Sequence, residues 1–345
     1  MPFRLRIYWL YRSYTIRICT AALLWLILIS FMHNSLNRED DGITFKMGYM
    51  PVVTNLAAPL LDFASLKEDS NIRYQAIKFS SFSEMAAAFR NDQIHAAFII
   101  APLAIVLFQQ GEDVRIVYIG NRHESTLVVR RELQVKEFKD LTGSIIAVPM
   151  RYSGHNLSLQ RLIRSNDLEN RIQVVEMNPP DMAAALTAGT LDAYFVGEPF
   201  AAVTLRNGVS KLLLYAEQVQ PNFVCNLLIV KQRLIDKDTE AVRMLVEGAA
   251  RAGVWAKNNR LETAQICSKY WGQSEDLIEY ALSTPPERIV FDRFIPIYSE
   301  IKSMAEDMVT FGLIQDADIE DLVDDRFALQ ADVGTVRQNL SSIIK

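Results

Sequence analysis

Cysteine is scarce in this 345-residue chain: there are three, Cys19, Cys225 and Cys267. They stand far apart, so no pair has the spacing of a metal knuckle or a dithiol redox motif. A disulfide between Cys225 and Cys267 is not expected, although spacing alone does not forbid it. Histidine is nearly as rare, with His33, His95, His123 and His155 as the only choices for a general base. Gly-x-Ser-x-Gly, His-Glu-x-x-His and the Walker phosphate loop are all missing, so no catalytic constellation is legible. The expectation is therefore a protein that is not an enzyme and has no cofactor and no metal. Charge of one sign is lacking too: 36 Lys and Arg stand against 41 Asp and Glu, a net charge of −5. Outside the N-terminus there is no basic stripe, which argues against a nucleic-acid partner.

The N-terminus is the exception. Arg4, Arg6, Arg12 and Arg17 come before the first acid, Glu39, and flank an apolar run over residues 18–32. A basic segment followed by an apolar one reads as an export signal or a membrane anchor. The run is shorter than the ~20 residues of a comfortable spanning helix, and Arg17 and His33 can lengthen it by reaching the interfaces. Bulky Phe31-Met32-His33-Asn34 offers no small-x-small cleavage site. Residues 1–41 are expected to be an uncleaved signal-anchor in a bacterial inner membrane, basic end in the cytoplasm and the rest on the periplasmic side.

Beyond residue 42 the pattern alternates strand and helix, which indicates largely parallel sheets covered on both faces. Strands are expected at 43–49, 72–79, 94–100, 114–119, 144–148, 172–177 and 191–196. Ser81-x-x-Glu84 has capping-box spacing ahead of a helix. Residues 85–104 lie over 182–201 without a gap at a constant offset of 97, with Met, Ala, Phe and Pro shared at eight of twenty positions. The repeat predicts two related lobes. Apolar extended segments at 125–130 and 223–230 are natural crossovers, which makes the second lobe an insertion in the first. The expected division is 42–124 with 225–345 for one lobe and 125–224 for the other. After Lys231 the chain reads as mostly helical. Its acidic stretch from Asp316 to Asp325 is expected to be a solvated helix end rather than a calcium loop.

Ligands in open α/β sheets sit beyond the carboxyl ends of strands. That rule selects Tyr49, Ser81, Pro102 and His123 from the first lobe, and Tyr152, Ser153, His155 and Glu198 from the second. Ser153 stands where a helix begins, as an anion ligand or a plain cap. His155 is read as an oxyanion donor or a packed histidine. Glu198 either touches the ligand or bonds backbone N–H groups to fix its turn.

Gly48-Tyr49, Val148-Pro149 with Ser153-x-His155, Asn178-Pro-Pro-Asp-Met182, and above all Gly189-Thr-Leu-Asp-Ala-Tyr-Phe-Val-Gly-Glu-Pro-Phe200 carry a resemblance. They resemble the nitrate/sulfonate/bicarbonate group of ABC-importer periplasmic solute-binding proteins, whose relatives also include taurine and thiamine-precursor binders. The resemblance implies an α/β, two-lobed periplasmic-binding-protein-like fold of type II, closing on a small anionic solute that is passed to permease and ATPase subunits. It implies that Tyr49, Ser153, His155 and the Gly197-Glu198-Pro199 turn line the cleft. Phe200 stands where relatives often carry Trp, and 221–225 lacks their basic residue, so the resemblance does not specify the anion. Two rivals keep the same scaffold: a lyase or synthase centred on Glu198 or His155, and a membrane-anchored ligand sensor.

Overall fold

The computed structural model describes residues 14–36, 43–67, 72–334, 336 and 338–344. The chain forms two compact units, Met1–Ile43 and Thr44–Lys345. The first unit contributes helix α1 (Tyr14–Leu36), whose window Ile16–His33 has a mean hydropathy of 1.9 and no buried residue. Arg4, Arg6, Arg12 and Glu39 lie outside the described residues.

The second unit is built on two five-stranded sheets. The first uses β1 (Ile43–Tyr49), β2 (Ile72–Lys78), β3 (Ala96–Ile100), β4 (Val114–Ile119) and β10 (Asn226–Lys231), in the order β2-β1-β3-β10-β4. The second uses β5 (Ser125–Arg130), β6 (Ile145–Val148), β7 (Gln173–Glu176), β8 (Ala193–Gly197) and β9 (Ser210–Tyr215), in the order β7-β6-β8-β5-β9. The two orders are equivalent strand for strand. In each sheet the fourth strand, β10 or β5, runs antiparallel to both neighbours. Each sheet is therefore mixed through one antiparallel strand, the one its crossover delivers, among otherwise parallel neighbours.

The equivalence extends to detail. The ladder between β10 and β4 is irregular at Leu228/Ile229, and that between β5 and β9 at Leu127/Val128. These positions differ by 101 (228 − 127). The repeated unit falls on α3 (Phe82–Arg90), β3 and α4 (Ala101–Gln109) in one lobe. In the other it falls on α6 (Pro179–Thr187), β8 and α7 (Phe200–Arg206). Between them, α2 (Ala57–Ser65) follows β1, and α5 (Gly154–Ser165) follows β6.

Strand alternation decides which core each residue enters. Phe45, Met47 and Tyr49 of β1, with Ala96 and Phe98 of β3, face a core shared with α2 and three C-terminal helices. Those helices are α10 (Thr239–Asn258), α11 (Arg260–Trp271) and α12 (Glu275–Ser283). Trp255 and Trp271 anchor this core. Ala97 and Ile99 face the other way, into a core that also takes in the second lobe. Short helices α8 (Ala216–Val219) and α9 (Gln232–Lys237) flank the crossover strands, and α13 (Tyr298–Thr310) and α14 (Arg326–Gln330) complete the chain.

Local chemistry sets the helix starts. The side chains of Ser81, Ser153 and Asp238 accept the N–H groups of Glu84, Asn156 and Ala241, satisfying donors that a first turn leaves open. The return arm at α3 differs from the expected box, since the Glu84 carboxylate takes the N–H and hydroxyl of Ser80. The acidic stretch is not a helix end. Asp316 and Asp318 accept the N–H two residues on, a local bond that competes with helix. All three cysteines are free thiols, Cys225 and Cys267 in different cores.

Candidate functional site

The two sheets meet at the crossovers, residues 120–124 and 220–225, and the turns after β1 and β8 close on each other there. The Val53 N–H donates to the Glu198 carbonyl at 2.8 Å, and Asn121 Nδ2 donates to the Val53 carbonyl at 3.0 Å. Two glycines allow this approach. A Cβ on Gly120 would stand 2.0 Å from the Thr54 carbonyl oxygen, and one on Gly197 would stand 2.7 Å from a Glu124 carboxylate oxygen.

Two carboxyl groups lie buried in this seam. Glu198 accepts the Thr126 hydroxyl at 2.9 Å on one oxygen and the Ala202 N–H at 2.9 Å on the other. Glu124 accepts the Ser125 hydroxyl at 2.7 Å and the Glu198 N–H at 2.8 Å. Burial pushes the Glu198 carboxyl up to about 7, against the opposing pull of Arg288. Burial raises Glu124 as well, since a low-dielectric site disfavours the charged form. Arg288 brings a cation to these carboxyl groups. Its guanidinium donates to the Ser125 carbonyl at 2.6 Å, to Thr126 Oγ1 at 3.2 Å and to Glu217 at 2.8 Å. It also lies 3.8 Å from the Tyr215 ring centroid, a cation–π geometry that suits a planar guanidinium.

His155 joins the seam from the first turn of α5. Its Nε2 lies 2.9 Å from the Ser125 hydroxyl and 3.8 Å from Cys225 Sγ, and its ring packs edge-on against Phe195 and tilted against Phe223. Burial lowers its pKa to about 3, which keeps the imidazole neutral, and raises the Cys225 thiol. The thiol donates to Asn226 at 3.3 Å, and Asn226 donates to Asn55 at 2.7 Å. A polar chain thus runs from a second-lobe helix to a first-lobe turn. Among the described residues, the buried atoms His155 Nδ1 and Asn121 Oδ1 in this region have no hydrogen-bond partner. Buried polar atoms without partners are costly unless something polar meets them. Aromatic walls with a few convergent polar groups suit capture of a small polar solute. Glu124, His155 and Cys225 are also metal-ligating types, and one donor atom from each lies within 4.8 Å of the others.

The structure distributes the sequence-selected residues unevenly. It brings His155 and Glu198 together through Ser125, Glu124 and Thr126. Ser153 is buried beside them, with its hydroxyl donating to the Met150 carbonyl at 2.7 Å and accepting the Asn156 N–H at 3.1 Å. His123 adopts a left-handed φ of 66° and donates from Nε2 to the Pro221 carbonyl at 2.8 Å, tying one crossover to the other. Phe200 is buried in the core below the turn, and its carbonyl accepts the Tyr194 hydroxyl. Tyr152 is half-buried under Arg151. Ser81 caps α3, and Pro102 opens α4 within the core. Tyr49 does not join the seam: its hydroxyl donates to the Tyr270 carbonyl at 3.2 Å, on the sheet face turned toward α2 and α11. Strand alternation at the end of β1 places it there.

Sequence reasoning missed Glu124, Thr126, Cys225, Asn226 and Arg288. Glu124 had a signal, as an acid entering an apolar strand. Arg288 had none, because it comes from a loop 162 residues away from Thr126 in sequence.

A family model described as the NMT1-like family matches residues 41–269. An Escherichia coli protein named for binding aliphatic sulfonates is 21% identical over 58% of this chain and 62% of its own length. The taurine-binding periplasmic protein of Escherichia coli is 25% identical over 52% of this chain and 59% of its own length. The chain thus spans about six-tenths of the length of the curated relatives it matches. Among solved structures, the ligand-binding component of an ABC-type import system from Staphylococcus aureus, with zinc bound, superposes with a TM-score of 0.75 at 19% identity, covering 84% of this chain and 99% of that one. The nitrate-binding protein NrtA from Synechocystis gives 0.72 at 15% identity, covering 87% and 92%. The alkanesulfonate-binding protein SsuA from Xanthomonas axonopodis, bound to MOPS, gives 0.68 at 16% identity, covering 83% and 99%. The fold is that of the periplasmic binding proteins, and with two-thirds of its length under the family model this chain belongs to the NMT1-like family.

Proposed function

We propose that this chain is the extracytoplasmic solute-binding component of an ABC importer, holding a small anionic solute in the seam between its lobes and presenting the closed form to a permease. The carrying observation is a pair of buried polar atoms at the crossovers, His155 Nδ1 and Asn121 Oδ1, that have no partner among the described residues, together with the Arg288 guanidinium bonded to Ser125 and Thr126. Relatives named for sulfonate, taurine and nitrate binding support an anionic solute. Sheet membership supports a lobe division at 42–124 with 225–345 and at 125–224. Helix α1, apolar over Ile16–His33, supports an anchor that keeps the binding domain at the periplasmic face of an inner membrane. Of the residues selected from sequence, His155 and Glu198 face the solute and Ser153 supports them.

Solute binding to the folded state raises its melting temperature. The test is a thermal-shift series on the detergent-solubilised chain with nitrate, bicarbonate, taurine and alkanesulfonates. A saturable rise with one anion, absent in Arg288→Ala and His155→Ala, is the expected result. If no anion shifts the transition, or if both variants respond as the parent does, the reading fails.

A further inference from the structure

The two crossovers are related in a way that the anion reading does not use. Glu124 immediately precedes β5, and Cys225 immediately precedes β10. The two positions differ by 101 (225 − 124), the same offset that relates the paired ladder irregularities of the two lobes. They are therefore equivalent points, each the last residue before the strand that crosses into a sheet. One carries a carboxylate and the other a thiol. His155 approaches both from the first turn of α5. The three donor atoms lie within 4.8 Å of one another, all three residues are buried, and the thiol-to-imidazole distance is 3.8 Å.

We propose that Glu124, His155 and Cys225 form a binding site for a divalent ion of the zinc class, seated where the two crossovers meet. Carboxylate, imidazole nitrogen and thiolate are the donor set that borderline-soft ions select, whereas calcium and magnesium take oxygen. Zinc bonds of about 2.3 Å to sulfur and about 2.0–2.1 Å to nitrogen place tetrahedral donors roughly 3.5 Å apart, near the 3.8 Å of the thiol–imidazole pair and within a short shift for a carboxylate oxygen at most 4.8 Å away. Charge balance favours the ion as well. One divalent cation with a carboxylate, a thiolate and a neutral imidazole sums to zero, which removes most of the cost of placing charge in a buried site. The Ser125 hydroxyl links His155 Nε2 to Glu124, and a bound ion takes over that link. Three protein ligands leave one tetrahedral position open, as zinc sites that also meet a small molecule do. Because Glu124 and Cys225 lie on different crossovers, a bound ion ties the two together, and the donors become accessible when the lobes part.

The experiment titrates the full chain in detergent with cobalt(II), whose coordination by thiolate gives a near-ultraviolet charge-transfer band. A saturable band displaced by equimolar zinc is expected. It should vanish in Cys225→Ser and persist in Cys19→Ser and Cys267→Ser. Glu124→Gln, which keeps the shape of the side chain, should weaken cobalt binding by about tenfold or more; it serves as the decisive variant should Cys225→Ser fail to fold. Absence of the band in the parent, its survival in Cys225→Ser, or unchanged affinity in Glu124→Gln overturns the site. Anion binding without a cobalt band would sink the metal site alone. A cobalt band without any anion response would sink the anion reading alone.

Discussion

Val53 donates its backbone N–H to the carbonyl of Glu198 over 2.8 Å, so the turn after the first strand of one lobe is bonded to the Gly-Glu-Pro turn of the other. Backbone supplies both ends of this contact. Substitutions at four positions around it have measurable outcomes.

Gly120 is where backbone approaches backbone. An alanine Cβ would meet the Thr54 carbonyl at 2.0 Å, and neither partner is the far end of a flexible side chain. Gly120→Ala should cost about 3 kcal/mol in urea denaturation. Gly111→Ala, with open space around it but a φ of 84°, should cost only about 1 kcal/mol. Equal losses would show that steric approach at Gly120 is not the constraint.

Arg288 holds Ser125, Thr126 and Glu217 at once while stacking on Tyr215. Its side chain is 6% exposed against 20% for Glu217, so only part of the pairing energy is shielded from solvent. Arg288→Ala should lower stability by about 2 kcal/mol. Arg288→Lys should recover little of it, because an ammonium neither forks nor stacks as a guanidinium does. Small-angle scattering should also find the Arg288→Ala lobes further apart. Full recovery by lysine would argue for a simple charge effect.

Glu198 makes stability depend on pH. The folded state holds its proton up to about 7, whereas the ordinary value is 4.5. The unfolded chain therefore releases the proton first, and this contribution is full below 4.5 and is lost as pH rises through about 7. It is on the order of 3 kcal/mol. His155 acts oppositely, neutral when folded down to about 3 against an ordinary 6.5, so its contribution is lost as pH falls below 6.5. Glu198→Gln removes one of the slopes that oppose the histidine, so stability should rise from pH 4.5 to 6.5 more steeply than in the parent. Parallel stability curves for parent and variant would count against a raised Glu198.

Ser153 has its hydroxyl committed twice, to Met150 and Asn156. Ser153→Ala should cost about 1 kcal/mol through loss of the cap, and Ser153→Asp should not restore it, because a buried carboxylate has no proton to give the Met150 carbonyl. A loss confined to solute affinity, with stability unchanged, would return Ser153 to the role of a direct ligand.

The sequence by itself determined the layered α/β character, the doubled helix–strand–helix unit and the apolar N-terminal run, because these rest on local periodicity and on self-similarity. It also singled out His155 and Glu198, since strand ends are legible from where apolar runs stop. Tertiary structure alone decided which face Tyr49 presents, because one residue of register sends a strand side chain to the other side of its sheet. It alone brought Arg288 to Thr126 and set Glu124 beside His155 and Cys225. Those contacts span 162, 31 and 101 residues (288 − 126, 155 − 124, 225 − 124). Nothing in the spacing of residues so far apart announces that the folding of two lobes will bring them within bonding distance.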